Sequence, residues 1–237
     1  MSKSKKKIGE CVYCRRIVPI TKDHIPPRSL FAKPRPNNLI TVPCCLDCNQ
    51  RWTMHDEYFK LMLLMRGDVS SHLEAIRLRP SLIRSVYRPE MNSLLRSIGE
   101  GITEVELHTR SGIYLGPATA YKVWLERLSA VGARIARGLF YHEKGYALPG
   151  KYAVIGVTEP FANSPDPDDL SQRMAAVLSV EPKIFGNGVF SYRAYFIKTN
   201  PNYSQWYFEF FESVSFFCMT IEESYMKKLD EDEQKAG

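Results

Sequence analysis

Two cysteine pairs constrain this chain more than any other feature. Cys11 and Cys14 are two residues apart, Cys45 and Cys48 repeat that spacing, and thirty residues (15–44) lie between the pairs. A Cys-x-x-Cys turn points both sulfurs toward one centre, and two such turns complete the tetrahedral four-sulfur site that Zn²⁺ prefers. A closed site of this kind is structural, because the chain around it folds as the ion binds. Of six cysteines, five crowd into residues 11–48, and in a reducing compartment such crowding argues for metal rather than a disulfide framework. Cys44 is an alternative to Cys45 as third ligand at a slightly wider spacing; the repeated two-residue spacing favours Cys45. Cys44 then reads as a buried or spare thiol, and Cys218 as a core residue.

The charge around these pairs is lopsided. Residues 1–60 carry twelve Lys or Arg against five Asp or Glu, whereas the remainder carries twenty against twenty-one. All of the net +6 therefore sits with the cysteines. A basic concentration suits a polyanion such as nucleic acid, since phosphate neutralisation supplies most sequence-independent affinity; the plainer alternative is a solubilising tail, Lys3 to Lys7. With 44% apolar and 24% charged residues the composition is that of a folded globular chain, not of a disordered one. No apolar run approaches the ~18 residues of a membrane span. The opening MSKSKKKIGE lacks the apolar stretch of a secretory signal, so the expectation is a cytoplasmic protein with no membrane partner.

Residues 1–9 read as a flexible basic arm. Pro26, Pro27, Pro34 and Pro36 preclude helix between the cysteine pairs, leaving β-prone pieces at Arg16–Ile20 and Lys22–Ile25. Asn37-Asn38 signals a turn, and Leu39–Val42 a short strand. From Leu46, with Asp47 as its cap, a helix is predicted through Trp52, Tyr58, Phe59, Leu61 and Met62 to near Gly67. The order is knuckle, hairpin, helix: a ββα unit over residues 10–66. Beyond it, helices are predicted at 69–79, closed by Arg79-Pro80, and at 90–98. Residues 103–109 alternate like a half-buried strand and pair with 112–116. The strongest helix is 118–139, where Ala120, Trp124, Leu128, Val131, Ile135 and Leu139 recur at three- and four-residue steps. A strand at 152–158, a Pro- and Asp-rich loop at 159–169, a helix at 169–178 and aromatic strands over 189–198 and 204–220 follow, then an acidic tail at 230–237. The region 67–229 is expected to pack its own core. The fold class is α+β: an N-terminal zinc-bound ββα-metal module followed by a mixed α+β domain.

The segment between the pairs carries the chemistry. Thr21-Lys22-Asp23-His24-Ile25-Pro26-Pro27-Arg28-Ser29 sets a carboxylate beside an imidazole. Neighbours on a strand point opposite ways, so Asp23 and His24 can serve different partners, a metal and a water. Asn38-Leu39 opens the second strand, and Asn49 directly follows Cys48. In order the chain reads CVYC, DHIPPRS, NLITVP and CLDCN. In this it resembles the HNH endonuclease family, of the zinc-knuckle-containing ββα-metal type, whose pattern runs CxxC, DHIxPxS, NL, CxxCN. The resemblance covers about residues 10–60, a quarter of the chain.

The resemblance implies roles. His24 matches the general base that takes a proton from the attacking water. Asp23 matches a ligand of a catalytic divalent ion, usually Mg²⁺, and Asn49 the second ligand. Asn38 matches the residue that holds the hairpin and helps orient the base. The implied substrate is DNA, with RNA left open. The chemistry is consistent: a neutral imidazole, with a reference pKa near ~6.5, can activate water, and an oxygen-ligated hard cation can neutralise phosphate and assist the leaving oxygen. Many family members place glycines after the Ser of the motif; here Leu30-Phe31-Ala32-Lys33-Pro34 follows, apolar and stiffened by proline.

Lys22, Arg28 and Arg51 lie near enough in sequence to touch phosphates. His55 is left out as a ligand, being six residues after Asn49 and on another helical face, and Asp56-Glu57 read as a solvated helix face. Arg127, Arg134 and Arg137 flank the apolar face of the long helix, and Arg77, Arg79, Arg84 and Arg88 form a basic run. Both groups read first as solvated surface, a DNA track being the alternative. The aromatic stretch 206–211 reads as sheet core rather than a base-stacking platform. The rival to an endonuclease is a non-catalytic zinc-dependent nucleic-acid-binding module.

Overall fold

The computed structural model describes residues 7–109, 111–158 and 167–225. Strands β1 (Ile8–Glu10), β2 (Ile17–Ile25) and β3 (Ile40–Cys45) form an antiparallel sheet in that order. Ile8 pairs with Pro19 and Gly9 with Val18, so the end of the expected arm is strand; residues 1–6 lie outside the described residues. Asp23 pairs with Val42 and His24 with Thr41. β3 runs directly into α1 (Leu46–Arg51), whose N-cap is the Cys45 sulfur accepting the Cys48 amide at 3.4 Å. Knuckle turn and helix cap are thus one local structure. Trp52 separates α1 from α2 (Thr53–Leu64), so the single helix expected from Leu46 is two.

Next come α3 (Leu73–Val86), α4 (Asn92–Gly99), β4 (Thr103–His108), β5 (Tyr114–Ala120) and α5 (Leu125–Lys144). Three expectations are corrected here. Pro80 does not close α3 but lies inside it. A proline there forfeits one backbone bond, yet Leu78, Leu82 and Val86 continue a single stripe onto the core, and that packing carries the helix through. β4 is exposed along its whole length rather than half-buried. The long helix starts at Leu125, not at 118, because Ala118 and Ala120 are held opposite Val105 and Thr103. Its C-terminus stops on Gly145 at φ 77, the left-handed cap that glycine adopts at no steric cost.

The chain ends in β6 (Tyr152–Thr158), α6 (Pro167–Leu178), β7 (Lys183–Phe185), β8 (Phe190–Phe196), β9 (Ser204–Phe210) and β10 (Val214–Glu222). These strands form an antiparallel sheet in the order β6-β10-β9-β8-β7. Of the predicted loop, residues 159–166 lie outside the described residues, as does the tail 230–237. One face of the sheet presents Trp206, Phe208 and Phe210 at alternate positions of β9, with Phe190, Tyr192 and Phe216 beside them, all buried. α2 packs on this face, the Phe59 ring lying 5.1 Å from Phe210 and 5.3 Å from Phe216. On the other face Met174 and Val177 of α6 cover Phe217.

The apolar residues of the ββα unit and of residues 67–229 join. One apolar cluster runs from Val12, Ile25, Ile40 and Val42 through Val131, Ile135 and Leu139 of α5 to the sheet aromatics. So short a ββα unit cannot bury enough surface alone, and it closes on α5. The approach is very tight at Gly138, where a Cβ would lie 2.6 Å from Ile25 Cγ1. One turn earlier on α5 is Arg134.

Candidate functional site

The four sulfurs of Cys11, Cys14, Cys45 and Cys48 all lie within 4.8 Å of one another, and those of Cys14 and Cys45 are 3.8 Å apart. Around an ion with Zn–S bonds of ~2.3 Å, a tetrahedron sets its sulfurs ~3.8 Å apart. The donors and their spacing can therefore hold a metal such as Zn²⁺, with no position left open. Cys44 stands outside the cluster: its buried thiol donates to Cys45 O at 3.2 Å, and burial pushes its pKa up. Arg16 supports the cluster from outside, donating from Nε to Cys14 Sγ at 3.4 Å and from Nη2 to Asp47 at 2.8 Å. Burial opposes ionisation of Cys14, but the hydrogen bonds from Arg16, with those of Cys11 and Cys45, outweigh it and bring the thiol down to about 6. Cys218 is fully buried in the core.

Beside this cluster the end of β2, the turn at Pro27–Ser29, α1 and the start of α2 enclose a cleft of about 350 Å³. Lys22, Asp23, His24, Arg28 and Asn49 all line it, together with Asp56 and Glu57. Asn38 does not: it is exposed in the turn before β3, and no hydrogen bond joins it to His24 among the described residues. Arg51 is exposed on α1 and is likewise absent from the lining. His24 is half-buried, and burial first, then the Arg28 cation, hold its pKa below 6.5 against the opposite pull of Asp23.

Asn49 is oriented by a short relay. The Thr21 hydroxyl donates to Cys44 O at 2.9 Å, so its oxygen is left to accept from Asn49 Nδ2 at 3.2 Å. The nitrogen end of the amide is thereby fixed on Thr21, and Oδ1, the atom a hard cation takes, is the end left available.

Asp23 is 6% exposed. Its Oδ2 accepts from Tyr13 Oη at 2.7 Å, from Arg134 Nη2 at 3.1 Å and from Arg134 Nε at 3.3 Å, whereas among the described residues Oδ1 accepts only from Nη2, at 3.2 Å. A carboxylate oxygen has two lone pairs, so Oδ2 is saturated and Oδ1 retains capacity for a further partner. Asp23 Oδ1 and Asn49 Oδ1 are both oxygen donors of the kind a hard cation takes.

Arg134 and Asp56 were not foreseen. Arg134 is 3% exposed, not solvated; its Nη1 donates to Asp56 Oδ1 at 2.6 Å, and the guanidinium lies 5.3 Å from the Trp52 ring and 5.9 Å from that of Tyr13. Asp56-Glu57 is not a solvated face either, since Glu57 is paired with Lys60 at 3.0 Å and Arg88 at 3.1 Å. Burial pushes Asp56 up, against the attraction of Arg134, to about 6. Asp23 and Asp56 thus share the one guanidinium of Arg134. The only sequence signal was the place of Arg134 beside Ile135 on the flank of the helix stripe. Compared with family models, with curated proteins and with solved structures, the chain finds no match.

Proposed function

We propose that the chain is a metal-dependent endonuclease that hydrolyses phosphodiester bonds of DNA. The observation that carries the reading is the meeting of Asp23, His24 and Asn49, separated by up to 26 positions, on one cleft whose rim also holds Lys22 and Arg28. In this reading His24, kept neutral at physiological pH by its lowered pKa, takes the proton of a water aligned with the phosphorus. Asp23 and Asn49 would hold the divalent ion, which when bound supplies charge neutralisation on the phosphate and at the leaving oxygen. Lys22 and Arg28 meet the flanking phosphates. Arg134 and Tyr13 orient Asp23 so that one oxygen faces the cleft. The four cysteines take no part in the chemistry; they anchor the start of α1 and so the position of Asn49.

The test is supercoiled plasmid incubated with Mg²⁺ or Mn²⁺. The parent chain should nick it, and His24→Ala should slow nicking ~10²–10⁴-fold with circular dichroism and zinc content unchanged. Equal rates for the two proteins would remove His24 from the mechanism. One observation favours a second reading, a zinc-dependent nucleic-acid-binding module without catalysis: both Asp23 oxygens already accept from Arg134. That reading expects salt-sensitive DNA retention with no divalent-dependent nicking.

A further inference from the structure

A second and larger depression adjoins the cleft, about 480 Å³, between the segment after β2 and one side of α3, and Ser29 is common to both. Its cations come from both banks: Lys33 and Arg35 from the first, Arg77, Arg84 and Arg88 from α3 and its end, with Lys60 of α2 between. Among the described residues no carboxylate lines it. Glu57 pairs with Lys60 and Arg88, and Glu74 with Arg77, so six cations against two nearby acids leave an excess of four. Lys33, Arg35 and Arg84 have no carboxylate partner among the described residues.

A solvated helix surface interleaves the two signs, whereas α3 sets Arg77, Arg79 and Arg84 against one acid, Glu74. Like charges facing each other across a concave wall repel, and such a field is relieved by a polyanion. We infer that this groove seats the backbone phosphates of a DNA duplex to one side of the candidate cleft, so that α3, outside the HNH-like segment, fixes the path of the substrate. The inference deepens the nuclease reading and relies on it only for where the bond is cut. Phe31 is the only aromatic residue in the lining and is buried. The groove therefore lacks the open rings on which single strands stack, and backbone contact with a duplex is the mode its chemistry suits.

The experiment measures fluorescence anisotropy of a labelled 30-base-pair duplex with the full chain, without added divalent ions, across a salt series. The combined exchange Lys33→Gln, Arg35→Gln, Arg84→Gln should weaken binding about tenfold or more near 0.1 M salt, and should flatten the slope of log Kd against log salt by about 2–3. All three positions are exposed, and the single exchange Arg84→Gln should show part of the same loss if the triple variant folds poorly. Arg79→Gln removes an α3 cation that lies outside the groove and bonds Ser70 O; it should stay within about twofold of the parent. Affinity and slope unchanged in the triple variant would overturn the groove, as would single-stranded RNA held more tightly than the duplex. A parent that binds through the groove but never nicks would sink the nuclease reading and leave the groove standing.

Discussion

The ββα unit and the five-stranded sheet are held together by different means. In the sheet, Phe190, Tyr192, Trp206, Phe208 and Phe210 form a continuous aromatic layer, with centroids 5.1 Å to 6.5 Å apart; apolar burial and the backbone ladder are enough. The ββα unit has charges at its centre. Asp23, Asp56 and Arg134 are buried or nearly so, and Cys11, Cys44, Cys45 and Cys48 form an apolar cluster of their own with Tyr13 and Val18 at its edge. Buried charge is costly unless fully paired, so a region built around it needs support from elsewhere. Here the cysteine cluster supports it at one end and α5 at the other. The buried charges lie where packing is not the only thing holding the backbone.

The comparison breaks first, and most visibly, at the metal. Structural zinc contributes roughly 10–16 kcal/mol of apparent folding energy in small zinc modules. Cys48→Ala should therefore lose zinc, open residues 8–64 to protease and lower the melting temperature by more than ~10 °C, while the sheet retains its far-ultraviolet signature. Cys44→Ala should keep one zinc per chain. Elemental analysis with thermal denaturation checks both; a Cys48→Ala chain that melts with the parent would mean that α5 alone holds the unit.

The next effect is at the support from α5. Arg134→Met leaves Asp23 and Asp56 facing each other without their shared partner, and breaking a buried pair in this way costs about 3–5 kcal/mol. Adding Asp56→Asn should recover part of that loss, because it removes one of the two stranded charges. Urea titration of the single and double variants measures this, and strictly additive losses would show that the three groups are not one network.

What the sequence made legible follows the same division. The cysteine cluster could be read because its spacing is local, and the same local order of strand and helix start brings Asp23, His24 and Asn49 to one cleft. Cys45 rather than Cys44 followed from spacing alone. Arg134 could not be read, since it meets Asp23 across 111 positions, and only the packing of α5 on β2 brings them together. The same packing hid the role of Asp56, one helix after Asn49 and exposed by pattern. Pro80 was misplaced because packing carried α3 through a local breaker, and the start of α5 because strand pairing held Ala118 and Ala120 against the helical pattern. Asn38 was assigned by resemblance and lies in an exposed turn, outside the cleft lining.

A smaller perturbation tests whether α5 sets the geometry of Asp23 or merely covers it. Gly138→Ala places a methyl group where Ile25 Cγ1 stands 2.6 Å away, so helix or strand must shift. Overpacking of this kind costs about 1–3 kcal/mol. Nicking should fall by more than the stability loss explains, measured well below the melting temperature. Parental activity in a destabilised variant would reduce α5 to a cover.

The smallest effect is electrostatic and concerns His24. Burial and Arg28 hold its pKa below 6.5, and in the proposed reading His24 acts only as neutral imidazole, so the acid limb of the rate should lie below pH 6.5, with a plateau above it. A cation bound at Asp23 would push the limb the same way. Arg28→Gln removes one of the charges that penalise the imidazolium; the pKa then rises, and the limb moves to higher pH by about half a unit or less. Because Arg28 also meets phosphate in the proposed reading, the useful quantity is the ratio of kcat at pH 5.5 to kcat at pH 8, in which a pH-independent binding loss cancels. That ratio should fall in Arg28→Gln and stay parental in Arg51→Gln, which changes a cation of the same unit outside the cleft lining. A ratio that moved equally in both variants would assign the limb to the general field of the basic unit rather than to an imidazole at the cleft.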